Sequence, residues 1–210
     1  AGLRAIADAA VQHRIPVLPV YLDSPMATRV TEVFSHHPDF LDAEMRGLIA
    51  RGASPFELPS LVMARTADES KAINAIRGTA VIIAGAGMCT GGRIKHHLVR
   101  NLPRRESTVL FVGYQASGTL GREILEGAKH VRILGAQVPV RARVARIAGF
   151  SAHADRDELL RWASAIGSRP RGAFVVHGEP EVAEGFGRTL AERTGWQASV
   201  PSGGDSVSLS

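Results

Sequence analysis

The stretch TAVIIAGAGMCTGGR, residues 79–93, decides how this chain is read. Its first half is apolar with none of the polar alternation of a half-solvated strand, the pattern of a strand covered on both faces. It then enters a run of glycines, and GGRIKHHLVRNL (91–102) follows with helical spacing and a basic character. A covered strand, a glycine turn and a helix make one βα unit, and such units build parallel sheets.

The same pattern recurs on both sides. Upstream, IPVLPVYLDSPMA (15–27) reads as a buried strand over 17–22 that closes on a turn at Asp23-Ser24-Pro25. Ser24 is placed to cap a helix and Pro25 to begin it, so a helix is expected from Pro25 to about His36, ended by His36, His37 and Pro38. Helices are also expected over 3–13 and 39–51, a short strand at 61–64, and a helix from about Ala67. Downstream, STVLFVGY (107–114) is a further apolar strand and GTLGREILEG (118–127) a short helix. The layout is a doubly wound α/β fold with a parallel sheet.

The pattern then changes. KHVRILGAQVPVRARVARIAGF (129–150) has two β-rich runs around Gly135-Ala136-Gln137, the signature of a hairpin with one face buried and the other basic through Arg141, Arg143 and Arg146. A helix over about 156–166, a strand in GAFVVHG (172–178), a helix over 180–193 and a short strand near Ser199 complete the chain. A boundary is expected at 147–150.

Composition narrows the classes. The 210 residues are 45% hydrophobic and 21% charged, an ordinary globular balance. The longest apolar run, 79–89, is far short of the roughly 20 residues a membrane helix needs, and no signal peptide is expected, because no charged start with an apolar core and a small-residue cleavage site is seen. The single cysteine, Cys89, rules out an internal disulfide framework and fits a reducing compartment, so a cytoplasmic protein is expected. A formal charge of +5 is compatible with nucleic acid, because Lys and Arg paired with phosphates release counterions. It is equally compatible with a solvated surface.

Chemistry could sit in two places. AGAGMCTGGR (84–93) and GYQASGTLGR (113–122) each lead from a strand through a glycine turn into a helix, where free backbone N–H groups suit a phosphate. Arg93, Lys95, His96, His97 and Arg100 add positive charge behind the first turn. In a parallel sheet, turns at the carboxyl ends of strands line one crevice, so the Asp23, Gly87 and Gly113 turns should converge. Neither turn has phosphate-loop or dinucleotide spacing, which leaves a Rossmann-type small-molecule enzyme without its G-x-G-x-x-G signature. The second place is FSAHAD and FVVHGE: His153 and His177 each follow a strand, precede a helix and stand two residues before a carboxylate, Asp155 and Glu179. Imidazole suits both metal ligation and proton transfer near neutral pH, though a histidine at a helix start also occurs for purely structural reasons.

YLDSPMA, GMCTGGR, GYQASGTLGR, FSAHAD and VVHGE, in this order, resemble the β-CASP branch of metallo-β-lactamase-fold nucleases, over nearly the whole chain. The resemblance implies a Rossmann-like α/β β-CASP cap over 1–148, followed over 149–210 by the C-terminal portion of the metallo-β-lactamase-fold domain. It implies a zinc-dependent RNA-processing hydrolase, with His153 beside the scissile phosphate and Asp155 orienting its ring. His177 would complete a two-zinc site. An RNA channel would be lined by Asp23, Ser24, Gly87, Met88, Thr90, Gly91, Gly92, Arg93, Gly118 and Thr119. Single-stranded RNA is the expected partner and a membrane is not; a homo-oligomer is left open.

One departure is large. The family's His-x-His-x-Asp-His cluster is absent, and no two of the eight histidines stand two apart. The expectation is therefore that the chain corresponds to the C-terminal part of a longer enzyme and holds no zinc alone. The alternative is a catalytically inactive module that binds nucleic acid through its glycine turns and arginines.

Overall fold

A computed structural model describes residues 2–52, 58, 60–149 and 153–208. The elements run α1 (Gly2–Val11), β1 (Val20–Asp23), α2 (Pro25–His36), a 3-10 turn (Pro38–Phe40), α3 (Ala43–Ala50), β2 (Leu61–Met63) and α4 (Ala67–Ala72). Then come β3 (Val81–Ala84), α5 (Ile94–Asn101), β4 (Thr108–Phe111), α6 (Leu120–Leu125), β5 (His130–Ile133), β6 (Ala136–Pro139) and β7 (Arg143–Arg146). The last are α7 (Arg156–Ser164), β8 (Ala173–Phe174), α8 (Pro180–Thr194) and β9 (Ala198–Ser199). They form two compact units, 1–151 and 152–210.

In the first unit β1 lies between β2 and β3, parallel to both, with Leu22 opposite Met63 and Ile83. Strand β4 does not extend this sheet. It pairs in parallel with β7, so the doubly wound layout divides into two separate parallel ladders. The expectation of full cover also fails beyond β1: Val62 and Leu110 are about half exposed. An unbroken apolar run reports the chemistry of the strand, not how much lies on top of it.

Helix α2 begins and ends where the sequence places it, with Ser24 Oγ accepting from the Ala27 N–H at 3.3 Å and Pro25 in the first turn. The segment after it is not one helix over 39–51. The short 3-10 turn ends at Leu41, and Asp42 then caps α3 by accepting from the Met45 N–H.

The basic hairpin needs correction. Strands β5 and β6 do form a two-residue hairpin, turning through Leu134 and Gly135, both at positive φ as such turns require. Its inward face is Val131, Ile133 and Val138, all buried. Arg141, Arg143 and Arg146 lie outside it: Pro139 ends β6, and Arg143 and Arg146 belong to β7, three residues apart and so on opposite faces. The arginines make no single basic face.

The main core joins Leu98 and Leu102 of α5 and its end to Phe111, Ile124, Val131 and Ile133. Together these fix α5 and α6 against β4 and β5. The second unit has a smaller core, in which Leu160, Ala163 and Leu190 hold α7 against α8 beside the short parallel β8–β9 pair.

Candidate functional site

The site of the first unit starts at the carboxyl end of β1. Asp23 is fully buried. Its Oδ1 accepts from Arg93 Nη1 at 2.6 Å, and its Oδ2 lies 2.6 Å from both Ser70 Oγ and His97 Nε2. Arg93 also donates to the carbonyls of Ala64 and Arg65, beyond the end of β2. One carboxylate therefore ties the ends of β1 and β2 to α4, to the glycine turn after β3 and to α5. Burial pushes the Asp23 carboxyl up, but the hydrogen bonds from Ser70, His97 and Arg93 outweigh it and hold the group below its ordinary value. Nδ1 of His97 is buried without a hydrogen-bond partner among the described residues.

Around this anchor the turn after β3 meets the turn after β4, although the two strands belong to separate sheets and the single crevice expected of one parallel sheet does not form. The turn after β3 folds on itself through Ala86 N–H to Gly91 O, Cys89 N–H to Ala86 O and Ile94 N–H to Gly85 O. It is tied to the turn after β4 by Gln115 Nε2, which donates to Gly87 O at 3.1 Å, and by Gly121 N–H, which donates to Met88 O at 3.1 Å. Glycine is needed where these segments touch. Gly92 has φ +75°, and a Cβ there would lie 2.7 Å from Gly85 O, while a Cβ on Gly121 would run into the Gln115 amide oxygen.

The predicted contact residues separate into two sets. Gly87, Met88, Thr90, Gly92 and Gly118 are exposed on the rim. Asp23 lies beneath the surface, Arg93 is spent largely on it, and Ser24 and Thr119 cap α2 and α6 with their side chains. Gly91 is half-buried within the turn. Cys89, beside them, is buried, and burial pushes its thiol up to about 11, which leaves it inert packing. Ser70, His97 and Gln115 complete the arrangement and were not singled out by sequence reasoning as site residues. The four-residue spacing of Arg93 and His97 was a usable signal, since it puts both on one helix face; Ser70 and Gln115 gave none.

The second unit holds the two histidines. His153 is exposed two residues before Asp155, the N-cap of α7, and His177 is exposed two residues before Glu179, the N-cap of α8. The two share this spacing, but Asp155 caps α7 with its side chain whereas Glu179 makes no side-chain cap to α8. His177 has φ +65°, a conformation uncommon outside glycine. Asp155 uses Oδ1 to accept from the Glu158 N–H at 2.8 Å, and Glu158 reaches back to the Asp155 N–H. Among the described residues, no group of three or more His, Cys, Asp and Glu side chains could hold a metal ion. The described residues of this chain thus do not fit a zinc site by themselves.

Residues 3–124 match the Beta-Casp domain, and residues 137–201 match the Zn-dependent metallo-hydrolase RNA specificity domain. The chain belongs to the β-CASP family of metallo-β-lactamase-fold nucleases. Among individual proteins it is 42% identical to Ribonuclease TTHA0252 of Thermus thermophilus over 195 residues, 93% of this chain and 44% of that protein. It is 30% identical to the Transcription termination factor FttA of Pyrococcus abyssi, over 91% of this chain and 30% of that protein. An RNase J-like protein of Methanocaldococcus jannaschii is 32% identical over 82% of this chain and 38% of its own length. The chain spans less than half the length of these curated relatives.

Proposed function

We propose that this chain supplies the RNA-holding cap and part of the catalytic edge of a zinc-dependent RNA-processing nuclease that hydrolyses phosphodiester bonds. Residues 1–148 act as the β-CASP cap and 149–210 as the returning C-terminal portion of the metallo-β-lactamase-fold domain. The observation that carries the reading is the joined pair of glycine turns, held over a buried carboxylate and presenting backbone with little side chain in the way. Such a rim admits a sugar-phosphate backbone closely. Gly87, Met88, Thr90, Gly92 and Gly118 touch the RNA there, while Asp23, Ser24, Arg93 and Thr119 hold the turns in shape.

His153, exposed before a helix start, is suited to stand beside the scissile phosphate and to donate a proton to the departing oxygen. His177 is the one position of this chain that the resemblance marks as a zinc ligand; the family's His-x-His-x-Asp-His cluster is absent from the sequence. In the intact protein, His153→Ala is expected to cut turnover by 100-fold or more, roughly the scale of one general acid, with zinc content little changed. His177→Ala is expected to lose metal. Single-turnover rates on a labelled RNA, with elemental analysis of the same samples, check both, and unchanged cleavage by His153→Ala would remove its assigned role.

A second reading, binding without cleavage by these 210 residues alone, is favoured by the donor set just described. It predicts RNA affinity that falls steeply with salt and does not respond to a chelator.

A further inference from the structure

Helix α5 sends its cationic residues in two directions. Arg93, just before its first turn, and His97 lie four apart and turn inward onto Asp23. His96 and Arg100, also four apart, are exposed on another face. Arg100 leads into an open cleft of about 790 Å³, lined with Arg77, Arg104, Glu106, Asn74 and Gly78 among others. These residues come from the segments just before β3 and β4 and from the far end of α5. The glycine turns follow β3 and β4, so the cleft lies at the opposite ends of those strands, about 12 Å away along eight residues of helix.

The charge of the cleft is unbalanced. Three arginines face one glutamate. Glu106 accepts from Arg104 Nε at 2.9 Å, and Arg77 and Arg100 make no ion pair among the described residues. Guanidinium groups left with free N–H donors in a concave, wet site match phosphate oxygens, which they can bind in bidentate fashion.

We propose that this cleft is a second phosphate-binding site, and that RNA leaving the glycine turns follows the His96–Arg100 face of α5 and seats a backbone phosphate there. The RNA half of the proposal rests on the reading of the turns as an RNA rim; the phosphate half does not. The test uses the intact protein and two probes. With a long single-stranded RNA, Arg77→Gln/Arg100→Gln is expected to weaken binding about tenfold at low salt. It should also shallow the salt dependence by about 1.4, the value for two lost phosphate contacts on a single strand at roughly 0.7 each. A charge-matched control, Arg46→Gln/Arg132→Gln, is expected to do much less, and an equal effect would reduce the cleft to general electrostatics and overturn it. Glu106→Gln, which removes the opposing charge, is expected to tighten binding. With pyrophosphate, the Arg77 and Arg100 side-chain N–H resonances are expected to shift, and still resonances would overturn the site itself. Shifted resonances with RNA binding indifferent to the double variant would leave a free-phosphate site and overturn the RNA path. If the natural protein bound no RNA at all, the rim reading would fail while the pyrophosphate result still judged the cleft.

Discussion

At the scale of one residue, Asp23 decides most. A buried carboxylate is tolerable when its lone pairs are filled by charged or polar donors, and removing one partner of a buried pair commonly costs about 3–5 kcal/mol, because the other charge stays behind. Arg93 keeps 21% of its side chain in contact with solvent, which softens the loss. Asp23→Asn is therefore expected to destabilise the first unit by about 2 kcal/mol or more at neutral pH. The pH dependence has a definite sign. The folded group titrates below its ordinary value of 3.8, so its contribution is complete above the unfolded value and is lost as pH falls through the lower, folded one. The stability gap between the natural protein and Asp23→Asn should begin to close as pH falls below about 4. Urea unfolding at several pH values checks this, and a gap that persists unchanged at pH 3 would contradict it. Asp23 also marks the limit of sequence reading. In YLDSPMA an aspartate at a strand end looks like a contact residue, and nothing in those letters says that a serine and a histidine 47 and 74 positions away will close over it.

At the scale of the element, local chemistry was the most legible part of the fold. Ser24-Pro25 fixed the start of α2 because a cap hydroxyl and a pre-set φ act within four residues, and the helix follows whatever surrounds it. The strands were read too long: β3 and β4 hold four residues each, since pairing and not polarity sets strand ends. The arginine-rich run was misplaced because alternation fits any strand and does not name its partner; β7 found β4 across more than thirty residues. The glycine turns allow a controlled test of what their glycines do. Gly92 and Gly118 have nearly equal φ, +75° and +74°, but a Cβ at Gly118 meets nothing within 4 Å among the described residues whereas one at Gly92 meets the Gly85 carbonyl. Gly118→Ala should cost about 1 kcal/mol, the strain of a left-handed conformation. Gly92→Ala should cost at least about twice that, and should weaken RNA binding as the turn shifts. Thermal unfolding and RNA affinity of the two variants give the comparison, and equal losses would mean that the close approach to Gly85 is not a constraint.

At the scale of the molecule, the two units differ in what they bring together. The first holds a self-sufficient arrangement: a buried anchor, two turns tied by hydrogen bonds and a basic helix face, all within one compact unit. The second presents His153 and His177 at the same spacing before α7 and α8, with no third donor gathered near either among the described residues. A catalytic zinc site ordinarily takes three protein ligands, and a lone imidazole competes poorly with water for the ion. Binding and metal ligation should therefore separate when these 210 residues are prepared on their own. Elemental analysis of that chain, purified without chelator, is expected to give close to zero zinc per chain, while RNA binding persists and is unmoved by added chelator. A value near two would mean that donors beyond His177 come from elsewhere in this sequence or from a partner chain, and a ribonuclease assay should then show cleavage beside binding. Near-zero zinc with no RNA binding would instead show that the rim needs the rest of the enzyme to grip its substrate. The buried Asp23 network would then be a device for holding the cap's shape, with its recognition completed elsewhere.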